Sequence, residues 1–245
     1  MFGKNAVTAP SYGDGYILRI KEIFPTIQGE GPRSGEPAVF VRLAGCNLRC
    51  WFCDTDFEGG EELSVGEVVT RVLAARASEH VGLVVLTGGE PLAQEVGPLC
   101  ASLDNAGMYV QVETAGTCWP KSETFERAVN FGVVEIVCSP KTPKVHPKIE
   151  EYAKAWKYLV RANKSRYEDG LPIESTQRRG ELARLFRPGD ESDADIFLQP
   201  TMEYDSSGKI EDKEATRANM TEAVGSCQRF GYRLSLQLHK IIGLP

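Results

Sequence analysis

Apolar and polar residues alternate over Tyr16–Phe24 (YILRIKEIF), a period of two that predicts a half-buried strand. The next eight residues, Pro25-Thr26-Ile27-Gln28-Gly29-Glu30-Gly31-Pro32, set two glycines and two prolines around Gln28 and Glu30. They predict an irregular loop whose backbone can come close to a ligand. Pro37–Leu43 (PAVFVRL) is a β-rich run interrupted by Arg42. Ser64-Val65-Gly66-Glu67 has the capping-box pattern and predicts a helix to about Ala77, with Val68, Val72 and Ala75 on one face. Short apolar runs at Gly82–Leu86, Met108–Glu113, Val133–Cys138, Ala155–Val160 and Ile196–Gln199 predict further strands. Helical patterns fall between them: one carries Leu92, Val96 and Leu99, and others span roughly 121–130 and 211–230. Tyr232–Leu238 alternates again and predicts a last strand.

Strands alternating with helices imply right-handed βαβ units and a parallel sheet. About six core strands are fewer than the eight of a closed barrel, so the expected class is α/β with a partial, open (β/α) barrel. The expectation is a single domain over residues 1–245. Residues 1–15 read as a loose arm, and the charged stretch 162–193 reads as an exposed insertion with a short helix at Glu181–Phe186. Polar motifs recur where strands end, which is where parallel α/β folds carry their sites.

Composition narrows the function classes. With 42% apolar residues, the 245-residue chain can bury a sizeable core. A net charge of −6 without a basic stripe argues against nucleic-acid binding. No run approaches ~18 apolar residues, and Met1–Gly15 has no apolar signal core, so neither a membrane span nor export is expected. Seven cysteines, three of them in one tight group, do not suggest a disulfide framework; a reducing cytoplasm is the expected compartment.

That group is Cys46-Asn47-Leu48-Arg49-Cys50-Trp51-Phe52-Cys53, spaced C-x3-C-x2-C. One short loop can turn three thiolates toward a common centre, and thiolates select zinc, copper(I) or iron–sulfur clusters. A closed structural zinc site needs four ligands, and no fourth Cys or His lies nearby in sequence. Three ligands on a four-iron cluster would leave one iron open to a small molecule. A surface loop with a small metal clip is the bland alternative. Cys100, Cys118, Cys138 and Cys227 read as structural thiols.

The loop, with aromatic Phe52 before its last cysteine, resembles the cluster motif of the radical S-adenosylmethionine (SAM) superfamily. Gly88-Gly89-Glu90-Pro91 after an apolar strand is similar to the segment of that superfamily that holds the SAM amino group, for which Glu90 offers a carboxylate. The resemblance also implies SAM contacts at Phe52, Cys53, Asp54, Gly116, Ser139, Pro140, Lys141, Gln199 and Pro200.

More narrowly, Phe24–Gly31, Phe40–Leu48, Cys53-Asp54-Thr55, Val112-Glu113-Thr114, Ser139-Pro140-Lys141, Gln199-Pro200, His239-Lys240 and Gly243-Leu244-Pro245 resemble the 7-carboxy-7-deazaguanine synthase family. The resemblance implies conversion of 6-carboxy-5,6,7,8-tetrahydropterin to 7-carboxy-7-deazaguanine with loss of ammonia, on the path to queuosine and related deazapurines. A [4Fe-4S] cluster on Cys46, Cys50 and Cys53 would cleave SAM to a 5′-deoxyadenosyl radical, with Mg2+ on Thr55 assisting. The residues suit such a substrate. Ile27, Gln28, Gly29 and Glu30 could read a pterin's amide and amidine edge, and Arg42 offers a bidentate fork to its carboxylate. Thr114 could hydrogen-bond the ring, while His239 and the Pro245 carboxylate match family substrate contacts. The implied partners are a flavodoxin- or ferredoxin-like electron donor and a second copy in a homodimer.

Two other readings stand beside this one. A radical SAM activase would make a glycyl radical on a partner protein and would need a docking surface. A non-catalytic metal-binding or electron-transfer module would have a closed metal site and no use for Gly88-Gly89-Glu90-Pro91.

Overall fold

The computed structural model describes residues 5–205 and 211–244. The N-terminal half contains β1 (Ile17–Ile27), β2 (Pro37–Leu43), β3 (Glu61–Ser64), α1 (Val65–Ala75), β4 (Leu83–Gly88), α2 (Gly97–Asn105) and β5 (Tyr109–Thr114). Then come α3 (Glu123–Asn130), β6 (Val134–Cys138), α4 (Pro147–Tyr152), β7 (Ala153–Val160), β8 (Asp195–Pro200), α5 (Lys213–Phe230), β9 (Arg233–Leu234) and α6 (Leu238–Ile241). Among the described residues, nine strands form one sheet in the order β3-β1-β2-β4-β5-β6-β7-β8-β9. β2 and β4 to β8 run parallel, which gives the six core strands of an open barrel. β1 departs from the all-parallel expectation: it pairs antiparallel with both β2 and β3.

The strands are apolar on the face that the helices cover and, for part of their length, on the concave face as well. Val39, Val41, Val84, Leu86, Val110, Val112, Ile136, Trp156 and Tyr158 face the helices and join Val68, Val72, Leu99, Leu103 and Phe125 in the main core. The concave face begins apolar, with Ala38, Leu83 and Val85 in one cluster and Val137, Ala155 and Phe197 in another. Further along the strands it becomes polar, at Gln111, Glu113, Lys157 and Gln199. That change from apolar packing to polar side chains marks the start of the site.

Several boundaries differ from the sequence expectation. β1 continues through Pro25 to Ile27, paired with Val39 to Pro37 of β2, so the expected loop starts at Gln28. Proline is tolerated there because β1 lies beside a short outer strand rather than in the parallel core. α1 has its full capping box, with Ser64 accepting from the Glu67 N–H and Glu67 accepting from the Ser64 N–H at 2.8 Å. Only Arg233 and Leu234 of the expected last strand pair with β8, after which the chain turns into α6.

Two segments expected to be exposed are tied down. In the N-terminal arm, the Thr8 N–H donates to the Cys46 carbonyl at 2.8 Å, and Asn5 Nδ2 donates to the Thr55 carbonyl at 2.8 Å. Within 162–193, residues 170–172 and 174–176 are buried, and 181–186 is not helical. This stretch turns inward because the cysteine loop uses its carbonyl groups, as the site geometry shows. Among the described residues, no helix is long and apolar enough to cross a membrane.

Candidate active site

The strand ends and the cysteine loop enclose an open cleft of about 1130 Å³. Ordinary small-molecule pockets reach ~1,000 Å³, so this volume suits more than one bound group. Cys46, Cys50 and Cys53 line it. The loop that carries them starts at the end of β2 and is held from four sides. Gly45 N–H donates to the Phe57 carbonyl at 2.9 Å, and Asn47 Nδ2 donates to Thr117 Oγ1 at 2.9 Å. Trp51 donates its backbone N–H to the Thr176 carbonyl at 3.0 Å and its indole N–H to the Ser175 carbonyl at 2.9 Å. The guanidinium groups of Arg161 and Arg179 each lie 5.0 Å from the Trp51 ring centroid. The buried part of 162–193 is thus a strap across the cysteine loop.

Burial pushes the Cys46 thiol up to about 12 and raises Cys53 as well, so positive charge from a bound metal would be needed to hold them as thiolates. The donor set, three thiols on one wall of a large cleft, fits an iron–sulfur cluster with room beside it for a second ligand. Among the described residues, no three Cys, His, Asp or Glu side chains gather as ligands of a single ion.

The Gly88-Gly89-Glu90 segment divides into two roles. Gly88 has φ +128°, and a Cβ on Gly88 or Gly89 would run into the backbone of Leu43 or Gly45, so glycine is required for β4 to end against the cysteine loop. Both glycines line the cleft. Glu90 does not. It is fully buried, and its carboxylate accepts from Thr114 Oγ1 at 2.6 Å, the Ala115 N–H at 2.8 Å and the Leu92 N–H at 3.0 Å. Burial raises its pKa, with these hydrogen bonds acting the other way. In this structure Glu90 ties the ends of β4 and β5 together rather than presenting a carboxylate to an ammonium. The Thr114 hydroxyl is turned to Glu90 and also accepts from the Gly116 N–H at 3.0 Å.

On the concave face, Lys157 of β7 is buried between the carboxylates of Glu30 at 2.5 Å and Glu113 at 2.7 Å. Gln199 and Gln237 also donate to Glu30, at 3.0 and 2.8 Å, and Gln28 bridges Gln111 and Glu113. Burial opposes ionisation of Glu30, but the charge and hydrogen bond of Lys157, with Gln237 and His239, bring it down to about 2. For Glu113 burial outweighs Lys157, and the nearby Glu30 charge adds to it, so its pKa is raised. Lys157 itself is desolvated, yet the two carboxylates hold it above the usual lysine range.

The cleft also brings together Phe52, Asp54, Thr55, Arg42, Ser139, Lys141 and His239. Arg42 pairs with Glu22 at 2.5 Å. Thr55 Oγ1 lies 3.4 Å from Asp54 Oδ1. Lys141, whose pKa is lowered by burial, donates to the Ser139 carbonyl at 2.8 Å. Gly29 does not line the cleft, but a Cβ there would collide with the His239 imidazole, and its carbonyl accepts from the Leu238 N–H at 3.0 Å. Ile27, Gly116 and Pro200 also lie off the cleft wall, Pro140 lines a small adjoining hollow, and Pro245 is outside the described residues.

Lys157, Gln111, Gln237 and Gln177 were not singled out from the sequence. The signal for Lys157 was a lysine in the middle of an apolar strand, AWKYLV. The cleft therefore pairs a three-thiol wall with a polar floor inside an open α/β barrel. Residues 41–173 match the Radical SAM superfamily model. The chain is 46% identical over 246 residues to the 7-carboxy-7-deazaguanine synthase of Rhodospirillum rubrum, covering 99% of both proteins. The chain belongs to the 7-carboxy-7-deazaguanine synthase family of radical SAM enzymes. The family's protein from Rickettsia prowazekii is 35% identical over 256 residues, covering 100% of this chain and 96% of that one. A crystal structure of QueE from Escherichia coli aligns with TM-score 0.62 and 25% identity over 91% of this chain and 95% of that one. These likenesses favour neither the activase nor the non-catalytic module.

Proposed function

We propose that this chain converts 6-carboxy-5,6,7,8-tetrahydropterin to 7-carboxy-7-deazaguanine with loss of ammonia, using a [4Fe-4S] cluster, SAM and Mg2+. The observation that carries the reading is the pairing, in one cleft, of three thiols on one wall with the Glu30–Lys157–Glu113 cluster on the floor. When bound, the cluster and SAM together supply a carbon radical that can take a hydrogen atom from an unactivated position.

The chain's own residues bind and orient. Glu30 stays ionised far below neutral pH and offers an acceptor to the N–H groups of a pterin edge. Gln28 contributes an amide, and its side-chain carbonyl, which accepts from the Glu30 N–H at 3.0 Å, fixes which way the amide points. Glu113 accepts from Lys157 through one carboxyl oxygen and from Gln28 Nε2 through the other, which holds the Gln28 amide at the floor of the cleft. Arg42 can exchange Glu22 for the substrate carboxylate, replacing a single charge-assisted contact through Nε with a two-pronged one. Thr55, which lines the same cleft, supplies a hard oxygen for Mg2+. Burial lowers the pKa of His239, which favours a neutral imidazole able to donate or accept one hydrogen bond.

The same reading includes a homodimer, a cytoplasmic setting and a flavodoxin- or ferredoxin-like electron donor. Exposed Arg49 and Arg178 beside the cysteine loop suit an acidic donor. Anaerobic reconstitution tests the cofactor part. Wild-type protein should bind about four irons with sulfide and form 5′-deoxyadenosine from SAM, while Cys50→Ala should lose both. A Cys50→Ala variant that keeps both would refute the assignment of the loop.

A further inference from the structure

The strap over the cysteine loop ends in Gln177, 127 residues from Cys50 in sequence. Its Nε2 lies 3.3 Å from Cys50 Sγ and 2.8 Å from Thr176 Oγ1, while its Oε1 accepts from the Arg49 N–H at 3.0 Å. Those contacts fix which way the amide points. Turned over, it would set its NH2 against the Arg49 N–H, donor to donor. Thr176 holds the strap in register: its hydroxyl donates to the Lys141 carbonyl at 2.7 Å and so can accept from Gln177. One side chain therefore caps the backbone just before Cys50 and aims an N–H at the sulfur of Cys50 itself.

Hydrogen bonds to cluster sulfurs are among the factors that set the reduction potential of iron–sulfur centres. A donor to sulfur favours the state with more negative charge, so it raises the potential. We propose that Gln177 is a positioning residue for the cluster on Cys46, Cys50 and Cys53, whose side-chain amide donates to the Cys50 sulfur and makes that cluster easier to reduce by one electron. This rests on the cluster assignment above. It gives the strap a role the sequence did not show, namely bringing a neutral donor to a site where a lysine or arginine would add a full charge. The electron itself comes from a low-potential one-electron donor; Gln177 neither gains nor loses one.

The test is a mediator titration followed by electron paramagnetic resonance on anaerobically reconstituted full-length wild type, Gln177→Leu and Gln177→Glu. Iron and sulfide are measured on each sample. Gln177→Glu keeps an acceptor for the Arg49 N–H, so it separates the backbone cap from the donor to sulfur. Both variants should hold wild-type iron. At the wild-type midpoint, the ratio of reduced to oxidised cluster should fall about tenfold in Gln177→Leu, which for one electron is ~59 mV. It should fall further in Gln177→Glu, where a carboxylate adds negative charge. Unmoved midpoints in both variants with full iron would overturn the proposal. So would iron loss from both, which would leave Gln177 only a role in holding the loop. Wild-type protein that takes up no iron would overturn the cluster assignment together with this proposal, whereas intact wild type with unmoved variants would overturn this proposal alone.

Discussion

Lys157→Met is the most informative change to the floor of the cleft. The side chain is 7% exposed and lies between two carboxylates, so the variant leaves Glu30 and Glu113 facing each other without their ammonium. Removing one partner of a buried ion pair costs about 3–5 kcal/mol. Proton uptake limits the loss, because two buried carboxylates without a cation titrate upward. We therefore expect about 3 kcal/mol near pH 7. In a chain of this size each kcal/mol moves Tm by about 2–4 °C, so Tm should fall by about 6–12 °C.

The pH dependence follows from the signs. In the wild type Glu30 titrates near about 2, below its ordinary 4.5, so its contribution is present above pH 4.5 and is lost as pH falls through about 2. In Lys157→Met the folded carboxylates titrate above their unfolded values. The folded variant then binds extra protons, and its stability falls as pH rises past the unfolded value. The gap between the two proteins should widen from about pH 5.5 to about pH 8, by up to ~1.4 kcal/mol per unit and chiefly through Glu30, because Glu113 is already raised in the wild type. Thermal melts followed by circular dichroism at both pH values, on equally loaded samples, measure it. Adding Glu113→Gln to the variant removes the like charge and should recover part of the loss. A Tm drop below about 2 °C, or a gap that does not change with pH, would refute the reasoning.

Other changes probe the rest of the site. Glu90→Gln points an NH2 at donors that now meet a carboxylate, and should cost about 1–3 kcal/mol and weaken SAM binding in equilibrium dialysis. Thr55→Ala should keep full iron and 5′-deoxyadenosine formation while losing the stimulation of product formation by Mg2+, read from activity against Mg2+ concentration. Ser64→Ala removes the α1 cap far from the cleft; it should cost ~1 kcal/mol in a thermal melt and leave turnover unchanged.

The cysteine loop, the six core strands and the strand-end motifs were legible because each is local. A buried parallel strand is an apolar run, and three close cysteines need a shared purpose. What was not legible depended on distant partners. Pro25–Ile27 looked like a loop because proline and threonine read as turn residues, yet β2 pairs with all three. The polar stretch 170–177 looked solvated, but its carbonyls and the Gln177 amide are spoken for by Arg49, Cys50 and Trp51. α4 has six residues, too few to show a helical period, and starts at a His146 cap. Lys157 could be seen as odd, but not as paired, because Glu30 and Glu113 lie 127 and 44 residues away. Glu90 was read as a ligand-facing carboxylate because its motif suggested one; beside the local Leu92 N–H, it is held by the Thr114 hydroxyl and Ala115 N–H, which only the folded β4 and β5 ends bring to it.

The most direct test is anaerobic turnover of the iron-reconstituted protein with SAM, a reductant, Mg2+ and 6-carboxy-5,6,7,8-tetrahydropterin, read by mass spectrometry. The account predicts 7-carboxy-7-deazaguanine that disappears when SAM is left out and in Cys50→Ala. 5′-Deoxyadenosine without that product would contradict the substrate, and an intact, SAM-binding cluster that yields neither would contradict the radical chemistry.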